Sequence, residues 1–586
     1  MKQEWRIFAK TADFNAISSR FGIDPVVARI IRNRDIVTDE EYESYLFGTL
    51  DSVHDPSLMM DMELGADIIA GSIEAGENIR IVGDYDVDGV MSTYILYDAL
   101  KNAGANVSFD IPHRVNDGYG INTRIIEKAY EESVSTIITC DNGIAAVTAM
   151  KKARELGLNI VITDHHEIQE ELPDADAIID PHQAGDTYPY ADICGALVAY
   201  KFIKVLYQTM DIPLESRKYL EMVALATVCD VMPLINENRI YVREGLRALE
   251  KTENIGLKAL LKETNYQGKS IDTYHAGFII GPCINAAGRL ESADVALGLL
   301  LEEDEKKASE IAAHLKELND SRKSMTEQGT ASAIQLIEEE TGLDSEGMPK
   351  QDVLVVYVPD LHESLAGIVA GRLKEKYYRP TIVFTDTDKD DDIVKGSGRS
   401  IEAYNMFEQI SACKDILLKF GGHPLAAGMS LKKSDLDEFR KRLNSSVSLS
   451  ERDKTPKLMI DVPMPMSYAT LKLAEQLADL GPFGKGNEPP LFAEKDLEIL
   501  GARVMGPNKN VLKLKVRSSR GDIHEVTSFR PDDFIECINE WFTEQECDRI
   551  MKGVRTGCKL DIAYEVTIND YYGRNVQFML KAFDKS

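Results

Sequence analysis

Between residues 78 and 180 the chain repeats one short pattern: an apolar run, a loop rich in Asp, Gly or His, and a stretch of helical length. The apolar runs cover 79–82, 107–111, 136–139, 159–163 and 177–179. Strands that alternate with helices form βαβ units and pair into a mostly parallel sheet. Because ligands of such sheets bind outside the carboxyl ends of the strands, the acidic loops stand where a site is expected. The pattern predicts a Rossmann-like α/β domain with its chemistry at one edge of the sheet.

The first of these loops carries three alternating carboxylates in the sequence GDYDVDG, residues 83–89. A continued strand would place Asp84, Asp86 and Asp88 on one face, and a turn would also bring them together. Like charges this close repel one another strongly unless a cation lies between them. An acidic surface turn is the alternative interpretation. An EF-hand is excluded, because position twelve counted from Asp84 is Ile95 rather than Glu.

Further carboxylates and imidazoles follow the later apolar runs. They are Asp141 in CDNG, Asp164, His165 and His166 in DHH, Asp180 and His182 in DPH, and Asp230 after VALATVC. Oxygen ligands with one or two imidazoles suit Mn²⁺ or Mg²⁺. Two such ions about 3.5–4 Å apart generate a hydroxide and clamp phosphoryl oxygens. The pattern therefore favours phosphoester hydrolysis, although a lone buried histidine is more often a core residue than a ligand.

The motifs DYDVDG, DNG, TDHH, DPH, TVCDVMPL, GPCINAAGRL, KGSGRS and FGGHPLAAG occur in this order between residues 83 and 428. The ordered set resembles the DHH phosphoesterases, a family named for the triplet at 164–166, and GSGRS and GGH resemble the associated DHHA1 substrate domain. The C-terminal part narrows the resemblance to the bacterial branch of the family that degrades single-stranded DNA from the 5′ end. The resemblance implies a metal-dependent exodeoxyribonuclease that releases 5′-mononucleotides in DNA repair and recombination.

The resemblance also implies roles for individual residues. The implied ligands of two Mn²⁺ or Mg²⁺ ions are Asp84, Asp86, Asp88, Asp141, His165 and Asp230. The implied catalytic residues are His166, which would contact the scissile phosphate, with Asp141 and Asp84. The implied substrate-binding residues are Arg289, Gly421, Gly422 and His423 for the DNA backbone, Arg114, Ser397 and Arg399 for a 5′-terminal phosphate, and Tyr119 for a stacked base. An arginine fork and a closely approaching glycine backbone both suit phosphate binding.

Two positions depart from the family pattern. Val82 stands where related pyrophosphatases carry a metal-binding His, so Asp84 would have to compensate for that missing ligand. Cys283 stands where many members of the exonuclease branch have Arg, which predicts one weaker contact with the DNA backbone. Neither departure affects the six implied metal ligands.

Composition divides the chain into further parts. Residues 295–342 are rich in Ala, Leu, Glu and Lys and contain no Pro, which predicts one long helix or two. A second, smaller α/β pattern follows, and after the polar run SLSERDKTPK the chain becomes strand-rich, as in a small OB-type barrel. The predicted parts are an N-terminal segment 1–60, a DHH catalytic domain 61–245, a helical connector 246–340, a DHHA1 substrate-binding domain 341–448 and an OB-like nucleic-acid-binding domain 449–586.

The net charge of the chain, −30 from 67 basic and 97 acidic residues, argues against a nucleic-acid partner. A groove can nevertheless be locally basic, and a metal centre consumes carboxylates. Basic and aromatic residues interleave in the C-terminal part, at Lys509, Lys513, Lys515, Arg517 and Arg520 and at Tyr571, Tyr572 and Arg574. We interpret them as a platform for single-stranded DNA, with an ordinary solvated face as the alternative.

Three other functions compete with this interpretation. DHH relatives also act on short oligoribonucleotides, cyclic dinucleotides or phosphoadenosine phosphates, but a small ligand would not need the connector and the extra C-terminal domain. A non-catalytic scaffold would be expected to lose the metal-binding aspartates, and all six implied ligands are present. An inorganic pyrophosphatase is disfavoured by Val82 and by the length of 586 residues.

The sequence also indicates where such a protein would work and with what. No apolar run approaches the roughly 18 residues of a membrane span, and residues 1–10 lack the pattern of a secretory leader. Eight scattered cysteines fit a reducing cytoplasm. The expected substrate is single-stranded DNA, and the resemblance implies a single-strand-binding protein and a RecQ-like helicase as partners. A self-contained chain of several domains predicts a monomer.

Overall fold

The first half of the chain is built around a five-stranded sheet. In the computed structural model, residues 3–114, 120–169, 171–387, 390–570 and 573–586 are described. The elements up to residue 290 are β1 (Glu4–Ile7), α1 (Phe14–Phe21), α2 (Pro25–Asn33), α3 (Asp39–Phe47), α4 (Met62–Glu74), β2 (Asn78–Val82), α5 (Val87–Asn102), β3 (Asn106–Asp110), α6 (Thr123–Glu131), β4 (Thr136–Cys140), α7 (Val147–Glu155), β5 (Asn159–Thr163), β6 (Ala177–Ile179), α8 (Gly195–Thr209), α9 (Leu220–Cys229), α10 (Asn236–Leu249), α11 (Ile255–Glu263), α12 (Thr273–His275), a π-helical turn (Ala276–Ile280) and α13 (Gly281–Leu290).

The sheet has the order β3-β2-β4-β5-β6 and every pairing in it is parallel. Its strands are apolar on both faces because helices cover both. Ile81 and Ile138 belong to the core under α4, α5 and α8, whereas Val82 and Ile137 belong to the core under α6 and α7. The predicted parallel α/β domain is confirmed. Because β2, β4 and β5 are neighbours, the acidic loops that follow them meet at one edge.

The second half begins with two helices, one of the two alternatives that composition predicted. The elements beyond residue 290 are α14 (Ala293–Leu301), α15 (Glu305–Glu340), β7 (Leu354–Tyr357), α16 (Ala366–Tyr377), β8 (Thr381–Asp386), β9 (Ile393–Arg399), α17 (Met406–Ser411), β10 (Leu417–His423), β11 (Ala426–Lys432), α18 (Leu436–Ser445), β12 (Lys457–Ile460), β13 (Val462–Pro463), α19 (Leu471–Ala478), β14 (Phe492–Met505), β15 (Val511–Arg517), β16 (Ile523–Ser528), α20 (Pro531–Trp541), α21 (Glu544–Met551), β17 (Lys559–Asn569) and β18 (Asn575–Lys585).

The 36-residue helix α15 joins the two lobes. Asp304 starts it, because its carboxylate accepts hydrogen bonds from the backbone N–H groups of Lys306 and Lys307. The helix packs against α11, α13 and α14 at one end and against α16 at the other. No helix in the described ranges is both long and apolar enough to span a membrane.

The smaller α/β lobe has a five-stranded sheet of order β10-β11-β9-β8-β7 in which β7 and β8 alone are parallel. Strand β11 lies between the two glycine-rich motifs. Gly428 on β11 is paired with Ser397 of the GSGRS motif on one side and with Gly421 of the GGH motif on the other. The register therefore places two motifs that are more than twenty residues apart in sequence beside each other.

The C-terminal lobe is a closed barrel with the strand order β14-β15-β16-β18-β17, closed by pairing of β17 with β14. Strands β16 and β18 are parallel, and α20 and α21 lie between β16 and β17 in sequence. This five-stranded arrangement is OB-like and confirms the predicted barrel.

The N-terminal segment packs on the C-terminal lobe rather than forming a separate body. Strand β1 pairs in parallel with β12, and Tyr42 and Tyr45 belong to the core of the barrel lobe. Arg34 and Asp461 form an ion pair of 2.6 Å whose two side chains are almost completely buried. The two ends of the chain thus form one unit, which local sequence patterns did not predict.

Arg239 on α10 holds this unit against the catalytic domain. The residue is 2% exposed, and its guanidinium donates to the carbonyl oxygens of Tyr45 at 2.7 Å, Asp479 at 2.9 Å and Gly481 at 2.9 Å. A fixed planar fork with five N–H donors suits several carbonyls at once. Arg239 is therefore one anchor of the junction between the N-terminal segment, the C-terminal lobe and the five-stranded α/β domain.

We expect Arg239→Met to destabilise this junction by about 3 kcal/mol or more, because each buried carbonyl left without a donor costs about 1–3 kcal/mol. The measurement is urea unfolding followed by intrinsic fluorescence, with the exposed Arg247→Met on the same helix as control. An unfolding midpoint equal to that of the control would contradict the assignment.

Candidate metal centre and active site

The GDYDVDG motif forms a turn that leads directly into a helix. Asp86 is the N-cap of α5, and its carboxylate accepts the backbone N–H groups of Asp88 at 2.9 Å and Gly89 at 3.2 Å. A Cβ at Gly89 would lie 2.5 Å from the carbonyl oxygen of Asp84, so the close turn requires glycine there. The turn, and not a continued strand, brings the three carboxylates together.

Asp88 is anchored by the start of another helix. Its two carboxylate oxygens accept the backbone N–H groups of Gly195 and Ala196, each at 2.7 Å. These are the first residues of α8, where unpaired N–H groups and the helix dipole favour a negative charge. A Cβ at Gly195 would come within 2.7 Å of the Cβ of Asp141, so glycine is needed for this approach. Sequence reasoning did not identify Gly195.

His165 lies at the centre of the cluster. Its Nε2 atom is 3.0 Å from Asp141, 3.5 Å from Asp88 and 3.8 Å from Asp230, measured to carboxylate oxygens. Asp141 has a left-handed backbone with φ of 59°, and Asp230 caps the C-terminus of α9. The structure thus brings together residues from three strand ends and one helix end.

The side chains form overlapping groups that could hold metal ions, each with ligand atoms within 4.8 Å of one another. The groups are Asp84, Asp86 and Asp141; Asp88, His165 and Asp230; and Asp141, His165 and His166. One oxygen of Asp84 is buried and has no hydrogen-bond partner among the described residues. A buried carboxylate oxygen without a donor, within a set of oxygen and imidazole ligands, fits two hard divalent cations. All six predicted ligands are part of this centre.

Without a cation the cluster retains protons. Burial raises the pKa values of Asp84 and Asp141 well above their usual range, and neighbouring carboxylates raise them further. Burial and the charge of Asp88 raise the pKa of Asp230 to about 8. Burial lowers the pKa of His165, which keeps its imidazole neutral and able to bind a metal.

These pKa values predict opposite effects of pH with and without metal. A carboxylate with a raised folded-state pKa contributes stability that is fully present below its unfolded-state pKa of about 4. That contribution is lost as the pH rises through the folded-state value, about 8 for Asp230. In EDTA the melting temperature should therefore fall between pH 6 and pH 9. Because metal displaces these protons, the stabilisation by Mn²⁺ should grow over the same range.

The measurement is a thermal melt at several pH values with EDTA or with Mn²⁺. Metal at a hundred times its dissociation constant should add about 2.7 kcal/mol. Asp230→Asn should weaken both pH dependences. An equal Mn²⁺ effect at pH 6 and pH 8.5 would contradict the prediction.

His166 is held beside the centre by Asp164. The Nδ1 atom of His166 is 2.7 Å from Asp164, whose other oxygen accepts the backbone N–H of Ile144 at 2.9 Å. Although burial opposes the charge, the hydrogen bond with Asp164 raises the pKa of His166 to about 9. The hydrogen bond therefore orients the imidazole and favours its charged form. Asp164 lies in the DHH triplet, but its orienting role appears only in the structure.

Two cavities adjoin the centre. The catalytic cavity, about 680 Å³, is lined by Gly120, Ile121, Gly143, Ile144, Ala145, Ala146, Asp164, His165, His166, Glu167, Gln169, His182, Asp192, Asp230, Met232, His423 and Lys485. The inter-lobe cavity, about 450 Å³, is lined by Tyr85, Arg114, Glu363, Ser364, Ala366, Lys395, Gly396, Ser397, Lys419, Phe420, Gly428, Met429 and Ser430. The catalytic cavity opens beside the carboxyl ends of β4, β5 and β6, and the inter-lobe cavity opens beside those of β2 and β3.

The inter-lobe cavity contains predicted phosphate-binding residues. Arg399 donates to the hydroxyl of Ser397 at 3.2 Å, and Arg114 stacks on Tyr85 with its guanidinium carbon 4.4 Å from the ring centre. A Cβ at Gly367, in the first turn of α16, would lie 2.8 Å from that hydroxyl. A helix N-terminus thus touches the pair, which suits an anion. Sequence reasoning missed Gly367.

The remaining predicted substrate residues do not form a single group. Arg289 on α13 donates to the carbonyl oxygen of Ser364 at 2.9 Å and so bridges the two lobes. His423 lines the catalytic cavity, and Gly421 and Gly422 lie on the adjoining strand β10. Tyr119, Tyr571 and Tyr572 lie outside the described residues.

Part of the predicted C-terminal platform is neutralised by neighbouring carboxylates. The ion pairs are Lys513–Glu525 at 3.1 Å, Arg517–Glu498 at 3.6 Å and Arg574–Glu475 at 2.8 Å. Paired cations offer less charge to a phosphate backbone than unpaired ones. A DNA-binding role for this face stays a prediction.

Comparison with known proteins places this site in a family. The family models described as DHH family, N-terminal domain, as DHHA1 domain and as RecJ OB domain match residues 78–227, 350–449 and 460–582. The single-stranded-DNA-specific exonuclease RecJ of Bacillus subtilis is 36% identical over 99% of this chain and 70% of its own. The chain belongs to the RecJ family. Its other relatives include RecJ of Haemophilus influenzae, 32% identical over 95% of both chains.

Solved structures agree with the fold. RecJ of Thermus thermophilus in complex with Mn²⁺ matches with a TM-score of 0.81 at 23% identity, over 100% of this chain and 80% of that one. An exonuclease RecJ bound to manganese matches with a TM-score of 0.58 at 29% identity, over 66% of this chain and 94% of that one. The architecture of catalytic domain, connector, DHHA1 lobe and barrel is that of RecJ.

Proposed function

We propose that this chain degrades single-stranded DNA from the 5′ end and releases 5′-mononucleotides. The observation that carries the proposal is the cluster of five aspartates and His165, in a chain of the RecJ family. The cofactors would be two Mn²⁺ or Mg²⁺ ions, held by Asp84, Asp86 and Asp141 on one side and by Asp88, His165 and Asp230 on the other. Bound together, such ions supply an activated water and stabilise charge on the phosphoryl oxygens.

The chain's own residues would bind and orient the scissile phosphate. His166 lines the catalytic cavity, where Asp164 orients its ring through Nδ1 and the imidazole would donate a hydrogen bond to a phosphate oxygen. Arg289 and His423 would hold the neighbouring backbone. Charge-assisted hydrogen bonds of this kind are roughly twice as strong as neutral ones.

The 5′ polarity would come from the inter-lobe cavity. Ser397 and Arg114 line that cavity with a hydroxyl and a guanidinium, Arg399 donates to the Ser397 hydroxyl, and the first turn of α16 adds backbone dipoles. A terminal phosphate carries more charge than an internal one, so a site with two arginines favours a chain end. The arginines also supply a locally basic cleft in a chain of net charge −30.

The finer features of the cellular role are also proposals. A 5′ exonuclease acts on strands that another activity has exposed, so a RecQ-like helicase and a single-strand-binding protein are suitable partners. All eight cysteines are free, which supports a reducing cytoplasm as the location. We propose that the protein acts as a monomer.

The deciding experiment is cleavage of a 3′-labelled single strand carrying a 5′-phosphate, in Mn²⁺ or Mg²⁺, beside the matching duplex. The expected result is a ladder of mononucleotide release from the single strand alone, abolished by EDTA. Hydrolysis of dinucleotides without degradation of long strands would instead support the small-substrate function, and endonucleolytic products would contradict the 5′ pocket.

A further inference from the structure

A loop of the C-terminal lobe reaches the catalytic cavity. Lys485 lines this cavity together with Asp230, Met232 and His423. The carbonyl oxygen of Lys485 accepts the backbone N–H of Leu234 at 2.7 Å. The contact is close, because a Cβ at the preceding Gly484 would lie 2.7 Å from a methyl carbon of Leu234. The catalytic cavity is thus completed by a residue some 250 positions beyond the last metal ligand.

The backbone of this loop is held firmly, whereas the Lys485 side chain is exposed. Asn487 is 1% exposed, and its amide donates to the carbonyl oxygens of Leu480 and Pro482, each at 2.9 Å. Thr273 of α12 donates to the carbonyl oxygen of Phe483 at 2.6 Å. Arg239 fixes the start of the loop, as described above. Because the backbone is already fixed, binding a ligand at the ammonium costs only the rotamer entropy of the side chain, about 0.5–1.5 kcal/mol, and no ordering of the loop.

Within the described ranges, Lys485 has no ion pair within 4 Å and no side-chain hydrogen bond. The ionisable groups that share the cavity are Asp164, His165, His166, Glu167, His182, Asp192, Asp230 and His423. Asp230 and His165 are metal ligands in the proposed centre, and His182 is paired with Asp180 at 3.4 Å. Lys485 therefore lies in the cavity beside the proposed metal centre, and its ammonium has no carboxylate partner among the described residues.

The two cavities lie at opposite ends of the sheet edge, because the strand order is β3-β2-β4-β5-β6. Arg114 follows β3 at one end, and His182 follows β6 at the other. The metal ligands of β2, β4 and β5 stand between them. A strand whose 5′ end occupies the inter-lobe cavity and whose first phosphodiester lies at the metals must continue over the catalytic cavity.

We propose that Lys485 binds the phosphodiester on the 3′ side of the scissile one, so that the C-terminal lobe holds the strand that remains after each cut. This subsite rests on the proposed exonuclease function. A lysine ammonium serves as a point charge for a phosphate and tolerates any base.

The test compares Lys485→Gln with the wild type on 5′-phosphorylated di-, tri- and eicosanucleotides of one base. A dinucleotide has no phosphodiester beyond the scissile one. For Lys485→Gln the KM of the longer strands should rise about fivefold to tenfold, and the wild-type preference for tri- over dinucleotide should disappear. In metal-free binding by fluorescence anisotropy, the slope of log Kd against log salt should fall by about 0.7, the value for one phosphate on a single strand.

The controls separate this inference from the proposed function. Lys472→Gln removes the same charge from an exposed position on α19, and Lys485→Arg should restore most of the binding. If the wild type degrades no single strand, the proposed function fails. If the wild type degrades it and Lys485→Gln behaves like Lys472→Gln, the subsite is refuted. An equal loss on the dinucleotide would place Lys485 at the scissile phosphate and would also overturn the assignment.

Discussion

Asp141→Asn should abolish exonuclease activity while making the metal-free protein more stable. Asp141 lies within ligand distance of both Asp84 and Asp86 and is 3.0 Å from His165. Losing one shared carboxylate should cost about 4 kcal/mol of transition-state stabilisation, which is about a thousandfold in rate. Asn is the suitable replacement, because Asp141 has φ of 59° and Asn tolerates this left-handed backbone better than Ala.

The gain in stability follows from the charges. Burial and the neighbouring carboxylates raise the pKa of Asp141 far above its usual range, so ionising it costs free energy when no metal is present. A neutral amide removes that cost, and the melting temperature in EDTA at pH 8 should rise. The same variant should lose most of the stabilisation by Mn²⁺.

Activity and melts are measured on the same preparation, with the exposed Asp67→Asn of α4 as control. Wild-type turnover in Asp141→Asn, or an unchanged Mn²⁺ shift, would exclude Asp141 from the centre. Active sites often lower the stability of the whole protein, because their function requires like charges to be buried side by side.

Arg399→Gln should remove most of the preference for a 5′-phosphate. Arg399 bonds the hydroxyl of Ser397 and a backbone carbonyl, and no carboxylate among the described residues neutralises it. Burial and then the charge of Arg114 lower the pKa of Arg399, and a bound anion would compensate both effects. Losing one half-buried contact to a terminal phosphate should cost about 3 kcal/mol, about a hundredfold in kcat/KM.

The measurement is kcat/KM on matched 5′-phosphate and 5′-hydroxyl strands. The loss should be much smaller on the 5′-hydroxyl strand, so that the ratio of the two values collapses. Arg399→Lys should recover only part of the ratio, because it keeps the charge but not the planar fork. Arg442→Gln, which removes a partly exposed arginine that is paired with Asp415, is the control. An equal loss on both strands would indicate a structural role instead.

The catalytic sheet could be predicted because its signals are local. Each buried parallel strand is a short, largely apolar run of about five residues, and each acidic loop follows such a run directly. Strand ends in a parallel sheet face one edge, so Asp84, Asp141 and His165 were expected to meet. The family resemblance added the positions that local pattern could not supply, among them Arg289 and Arg399.

The positions of other site residues could not be predicted from local sequence patterns. Asp230 ends a helix rather than a strand, and only the packing of α9 against α5 and α8 brings it to His165. Gly195 and Gly367 look like ordinary glycines, yet each lets a helix start reach an ionisable side chain. Nothing in the sequence around Lys485 distinguishes it from other surface lysines.

What the sequence determined by itself is the class of chemistry: buried strands at fixed spacing, carboxylates after them and therefore a cation site at a sheet edge. What only the tertiary structure decided is how the lobes are joined. The N-terminal segment and the barrel form one unit, Arg239 locks it to the catalytic domain, and Lys485 thereby enters the cavity. The physical reason is that the signals of strands and loops depend on residues that are neighbours in sequence. The contacts between the lobes depend instead on complementary shape and on carbonyl groups that meet their donors only after the chain has folded.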